Sequence, residues 1–264
     1  MKCNGPLKIV LLLALLFFCR AGIACGNAAS PVTEHTRQLM VVVTPDWNAV
    51  PGTLYRYERK AGRWKPVGKP VPVVVGRNGL AWGDGLHPSQ ADGPSKREGD
   101  GKSPAGIFSL GSVFGLAPAG ELSGLRLPYF QLVSGLECVD DAKSSRYNSI
   151  LMRGSVPDPD WNSSEKMWEI EVEYRLGLVV NHNARRRAGG GSCIFMHVWN
   201  GPQSSTSGCT AMAYEEMKTI ALWLDPAAAP LLVQLPASEY QARRKPWALP
   251  TLPRRSNLSE SKTP

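Results

Sequence analysis

Twenty-six glycines and 22 prolines are scattered through the 264 residues, and they seldom leave a run long enough for a helix. Proline removes a backbone donor and both residues are poor in helix interiors, so a chain punctuated this densely is built from short strands and turns. Apolar and β-branched runs supply strand candidates at Gln38–Thr44, Leu54–Glu58, Val71–Gly76, Gly106–Leu110, Leu176–Val180, Gly191–Val198 and Leu231–Leu235. A Gly/Pro/Asp/Ser-rich loop is expected over Gly83–Gly101. The one helix the spacing predicts is Ala213–Leu224, with Met217, Ile220, Ala221 and Leu224 on one side; Asp225-Pro226 ends it. Met167–Tyr174 fits either a helix or a strand. No repeat or linker divides the chain, and 43% hydrophobic residues suffice for a core. The expectation is a mainly β single domain over residues 35–240, with a polar, flexible tail over 250–264.

Residues 1–25 read as a secretory signal. Lys2 and Lys8 precede Ile9–Cys19, an apolar run of about half the twenty residues a membrane span needs, and small residues follow. Gly22-Ile23-Ala24-Cys25 also resembles a lipoprotein signal, with Gly22 where such signals usually carry Leu; a lipid anchor on Cys25 is the alternative. Cleavage near Ala24 removes Lys2, Lys8 and Arg20 and no acid, which lowers the formal charge of +8 by three. An exported chain of that charge suits an anionic polymer better than nucleic acid, and no second long apolar run exists to span a membrane after processing. Export, with the periplasm as destination, leaves Cys138, Cys193 and Cys209 in an oxidising compartment. One thiol of that odd set stays unpaired, and the sequence alone leaves open which.

Gly101-Lys102-Ser103 imitates the end of a phosphate-binding loop, but Lys96 stands where that loop needs glycine, and Pro104 and Gly106 break the helix that should follow. The informative stretch runs from Gly189 to Met212. Within a strand, Cys193, Phe195 and His197 would share one face. Cys209 follows a Gly/Pro/Ser loop and is expected just ahead of the helix, where the macrodipole favours a thiolate. His197 on the neighbouring strand could take the thiol proton, and the backbone around Gly208 could bind an oxyanion. Zinc held by Cys138, Cys193, His197 and Cys209 is disfavoured, because residues 193 and 197 of one strand lie about 13 Å apart. A packed histidine beside an inert buried cysteine is the competing reading.

The stretch resembles the L,D-transpeptidase catalytic-domain (YkuD-type) family, in which a histidine precedes a Ser/Thr-x-Gly-Cys element. Here these are His197 and Thr206-Ser207-Gly208-Cys209. Gly76–Trp82, Gly99–Phe108, Cys138–Asp141 and Tyr147-Asn148 match in the same order, so the resemblance covers roughly residues 38–236. It implies a mainly β sandwich or barrel with a helix after the nucleophile. It also implies Cys209 as nucleophile, His197 as base, and Gly208, Ser207 and Thr210 in the oxyanion and substrate contacts. The reaction implied is acyl transfer between peptidoglycan stem peptides through an acyl-enzyme, with no metal or other cofactor. A carboxypeptidase on the same scaffold and a catalytically weak wall-binding protein are the alternatives. The chain departs from the common pattern at Ala211, where many members carry Arg; it is similar to a branch reading Gly-Cys-x-Ala-Met. Arg77, Arg153 or one of Arg185–Arg187 are candidates for the missing cation, although the last three also read as a solvated loop. A Cys138–Cys193 bridge would leave Cys209 free. Asp140 and Asp141 fit either the site or a turn, and His182 reads as a surface residue; His35 and His87 carry no signal.

Overall fold

The computed structural model describes Met1 and residues 30–253; the expected signal beyond Met1, Cys25 and the tail from residue 254 lie outside the described residues. The strands are β1 (Gln38–Thr44), β2 (Pro51–Lys60), β3 (Arg63–Val74), β4 (Leu80–Trp82), β5 (Ser103–Gly115), β6 (Tyr129–Gln131) and β7 (Leu136–Val139). They continue as β8 (Ile150–Met152), β9 (Ser164–Lys166), β10 (Leu176–Val180), β11 (Phe195–Val198), β12 (Thr210–Met212) and β13 (Leu231–Pro236). Two α-helices, α1 (Tyr214–Trp223) and α2 (Ala237–Arg243), complete the set.

Eight strands run β10-β11-β12-β3-β2-β1-β13-β5, and β5 pairs back onto β10, so the main sheet closes on itself; β4 and β6 extend from β5. Closure leaves these eight strands without a free edge. β1 lies between antiparallel β2 and parallel β13, with six of its seven residues buried, which is why its sequence is a continuous apolar run rather than an alternating one. The seam between β12 and β3 is a single pair, Ala211 with Val74. α1 lies against β10 and β11, and its buried Met217, Ile220 and Ala221 are the side chains whose spacing predicted it. Met217 and Ile220 each contribute about 1.5–3 kcal/mol by leaving water, and the Ala221 methyl about 0.8 kcal/mol. α2 covers β1 and β13 through Tyr240; seven residues are too few for a period to show in the sequence.

Between β6 and β10 the chain makes a small separate sheet, β8-β7-β9. Met167–Tyr174 is neither a helix nor a strand there but two 3-10 turns, Met167–Glu169 and Glu173–Arg175. The expected strand Gly191–Val198 is also shorter than its pattern. Gly191 and Cys193 take positive φ (98° and 54°), and Asn148 Oδ1 accepts the Cys193 N–H at 3.0 Å, so the chain straightens only at Phe195. No helix among the described residues is long and apolar enough to cross a membrane.

Candidate active site

β11 and β12 run parallel, with Met196 opposite Thr210 and His197 opposite Ala211. Cys209, one residue before β12, therefore sits beside Phe195 and diagonal to His197 on one face of the sheet. Diagonal neighbours have Cβ atoms about 7 Å apart, and among the described residues no hydrogen bond joins the thiol to the imidazole. The Phe195 N–H points at Cys209 Sγ (3.3 Å), and the thiol faces the Cys193 carbonyl (3.5 Å). His197 Nδ1 lies 2.7 Å from the Val198 carbonyl; a carbonyl only accepts, so Nδ1 carries the hydrogen and Nε2 is the free base. Tyr174 stands edge-on to both rings, 5.5 Å from His197 and 5.6 Å from Phe195, and fixes the imidazole plane.

The backbone around the thiol is braced. The Cys209 carbonyl accepts from Ser103 Oγ (2.7 Å) and Thr206 Oγ1 (2.6 Å). The same Thr206 oxygen accepts the Gly208 N–H at 3.1 Å, so the Cys209 N–H is the better-placed oxyanion donor of the two. Ser207 is exposed and accepts from Arg77 Nη1 at 3.1 Å. Thr210 faces the opposite side of β12, where its hydroxyl donates to Gln234 Oε1 (2.7 Å), so the structure does not bring it to the thiol.

The helix expected directly after Cys209 begins only at Tyr214, with β12 in between. The macrodipole therefore gives no support to a thiolate, since its effect fades within the first turn. Burial instead pushes the thiol well above its ordinary pKa, and the Glu165 carboxyl pushes in the same direction. Burial lowers the pKa of His197 against the pull of the Val198 carbonyl. The resting pair is a neutral thiol and a neutral imidazole.

Cys138 and Cys193 are joined in a disulfide with Cα atoms 5.9 Å apart, and Cys209 is the free cysteine among the described residues. The bridge ties β7 to the residue whose carbonyl faces the thiol. It also occupies two of the sulfurs that a zinc site would need. Asn148 and Tyr147 hold the same segment: Asn148 Nδ2 donates to the His182 and Asn183 carbonyls (3.0 Å each), and the Tyr147 hydroxyl accepts the Gly191 N–H at 3.0 Å. His182 is buried rather than a surface residue. Its ring bonds the Gly190 carbonyl (3.0 Å), and burial pushes its pKa down to about 4. His87 is buried as well, stacked on Trp247, while His35 is exposed.

The cation candidates separate clearly. Arg153 is held by buried Glu137 (2.7 Å) and lies over Trp161; Arg185 pairs with Asp84 (2.9 Å); Arg186 and Arg187 are exposed. Arg77 alone touches the Thr206–Cys209 element. Asp141 has a turn role, accepting the Lys143 and Asn162 N–H groups. A cavity of about 810 Å³ is lined by Trp82, His87, Arg97, Arg185 and Arg187 beside Gly189 and Gly190; Cys209 is not in its wall.

A family profile described as the L,D-transpeptidase catalytic domain (YkuD) matches residues 48–233. Among solved structures, the helical cell shape determining protein Pgp2 from Campylobacter jejuni is similar at 13% identity and a TM-score of 0.37, over 75% of this chain and 47% of that one. The chain thus spans about half the length of that relative. No curated protein matches it.

Proposed function

We propose, for a chain that belongs to the L,D-transpeptidase catalytic-domain family, that it is an exported cysteine acyltransferase of peptidoglycan stem peptides. The observation that carries this reading is the free, buried Cys209 thiol held between the Phe195 N–H and the Cys193 carbonyl, with His197 Nε2 unencumbered on the same face. Because both groups rest neutral, Nε2 takes the thiol proton as sulfur attacks the stem carbonyl. The oxyanion so formed is met by the Cys209 N–H. The imidazolium then protonates the leaving amine, typically of D-alanine, which departs and leaves a thioester on Cys209. An amine from a second stem attacks that thioester, gives its proton to His197, and restores the thiol. Arg77 is the cation assigned to a substrate carboxylate in place of the arginine that Ala211 lacks. Ala211 is 1% exposed and pressed against Val74 at the barrel seam, so an arginine there would have to break that contact.

The test is incubation of the processed protein, with Cys209→Ala as control, with disaccharide-tetrapeptides and intact-mass analysis. Loss of D-alanine with a crosslinked dimer, absent in the control, is expected. D-alanine loss without a dimer would make it a carboxypeptidase, and neither turnover nor an adduct on Cys209 would overturn the enzyme reading.

A further inference from the structure

The cavity beside Gly189 and Gly190 has no part in the chemistry above. Its walls are the loop between β4 and β5 and the loop between β10 and β11, and the two are fastened together. The Glu98 N–H donates to the Gly189 carbonyl (2.9 Å), the Asn183 N–H donates to the Asp84 carbonyl (2.8 Å), and Arg185 pairs with Asp84 (2.9 Å). The space is therefore preformed, and its volume of about 810 Å³ falls in the range of about 300–1,000 Å³ usual for a small-molecule site. Four basic side chains line it, Lys96, Arg97, Arg185 and Arg187, against one acidic one, Asp84. Lys96 is paired with Asp100 (2.6 Å) and Arg185 with Asp84. Arg97 and Arg187 remain, and among the described residues neither guanidinium has a hydrogen-bond or ion-pair partner. Their backbones, by contrast, are clamped at both polar groups. The Arg97 N–H donates to Asp100 Oδ2 (2.8 Å), and its carbonyl accepts from Lys96 Nζ (2.7 Å). The Arg187 N–H donates to Asn183 Oδ1 and its carbonyl accepts from Asn183 Nδ2, both at 2.9 Å, and Asn183 is 0% exposed. One cavity thus carries two arginines fixed at the root and free at the head, one from each loop.

We propose that this cavity binds a sugar phosphomonoester, with Arg97 and Arg187 taking the phosphate oxygens. A phosphomonoester carries about −1.5 to −2 at pH 7, which two unpaired guanidiniums match; a single carboxylate would leave one of them unanswered. The planar fork of each arginine suits two phosphate oxygens at once. An amine has nothing to bind, because the one carboxylate of the wall is already held by Arg185. A phosphate alone fills a small part of the volume. Ser89 and Ser95 line the remainder, and their hydroxyls have no partner among the described residues, which leaves donors and acceptors for the hydroxyls of a sugar ring. Cys209 is not in the wall, so the ligand here is separate from whatever acylates the thiol.

The test is titration calorimetry of the processed protein with glucose 6-phosphate, which needs no turnover and so stands apart from the stem-peptide assay. Binding is expected, with glucose and inorganic phosphate each weaker by about tenfold or more. Arg97→Ala and Arg187→Ala should each weaken it by about tenfold or more, the loss of one charge-assisted hydrogen bond. Both variants should melt with the parent, because neither head group is bonded to the fold. Arg186→Ala, on the same loop but outside this wall, should bind as the parent does. No binding of glucose 6-phosphate would overturn the proposal. So would a loss in Arg186→Ala equal to that in Arg187→Ala, which would mean unspecific attraction to a basic loop. Inorganic phosphate binding as tightly as glucose 6-phosphate would overturn the sugar assignment, and succinate doing so would overturn the phosphate assignment. Maltotriose with one terminal phosphate separates the two sources of the ligand. Tighter binding than glucose 6-phosphate would support a glycan end as the occupant, and equal or weaker binding would support a free sugar phosphate.

Discussion

Removing the Cys138–Cys193 bridge tests how far the small sheet depends on a covalent tie. The paired replacement Cys138→Ala/Cys193→Ala opens a loop of 55 residues. Chain entropy then returns about 14 cal/mol/K to the unfolded state, or about 4 kcal/mol at 25 °C. Both sulfurs are buried, at 1% and 3% residue exposure, so each lost atom adds about 1 kcal/mol for the vacated space. The sum of about 6 kcal/mol corresponds to a fall in Tm of about 12–24 °C for a domain of this size, read by scanning calorimetry. Cys209→Ala keeps the bridge and should shift Tm by no more than about 5 °C. The double variant should also react faster with iodoacetamide at Cys209, because the Cys193 carbonyl that faces the thiol is no longer tied to β7. A double variant melting within about 3 °C of the parent would refute the tethering argument, since neither entropy nor packing could then be counted against the bridge.

Arg77→Ala should raise KM for a carboxylate-bearing stem by about tenfold, the loss of one charge-assisted hydrogen bond, with kcat within about twofold; a loss confined to kcat would contradict the assignment. Glu137 is 2% exposed; burial alone would raise its pKa, but Arg153, Trp161 and Ser164 together hold it below the ordinary value. Its stabilisation is complete above the unfolded pKa of about 4.3 and is lost as the pH falls through the lowered value, so Tm should drop more steeply below about pH 4 in the parent than in Glu137→Gln. At pH 7 the glutamine variant should be less stable by about 2 kcal/mol in urea melts. Gly79→Ala should cost about 3 kcal/mol or more: φ is +79°, and the added Cβ would lie 2.1 Å from the Trp47 carbonyl oxygen, so the turn carrying Arg77 must shift. An unchanged melting curve would contradict this.

The apolar cores of the barrel strands and α1 were legible, but β2, β3 and β5 extend well beyond the short runs Leu54–Glu58, Val71–Gly76 and Gly106–Leu110 that marked them. β1 and β10 match the expected runs residue for residue, and α1 is one residue shorter at each end than the expected Ala213–Leu224. The strands β4, β6, β7, β8 and β9 hold three or four residues each, too few for alternation to register. At the site, His197 and Cys209 were singled out by type and spacing, but their braces were not. Ser103, rejected with Lys102 as a false phosphate loop, bonds the Cys209 carbonyl across 106 positions of sequence. Tyr147 and Asn148 matched a family pattern, yet nothing in the sequence alone says that they clamp Gly191 and Cys193.

The larger miss was electrostatic. A cysteine thought to stand at a helix start was expected to favour the thiolate. The structure instead surrounds it with Phe114, Phe195, Met167 and Tyr174, gathered from three separate parts of the chain. Apolar walls raise the thiol pKa and lower that of the imidazole, so on the proposed mechanism charge separates only when a substrate carbonyl is in place to accept it. On the proposed acyltransfer reading, the same walls would keep water from the thioester and lengthen its life for an amine to find. On that reading a dry site would favour transfer over hydrolysis, and product analysis of the Cys209-dependent reaction decides between the two.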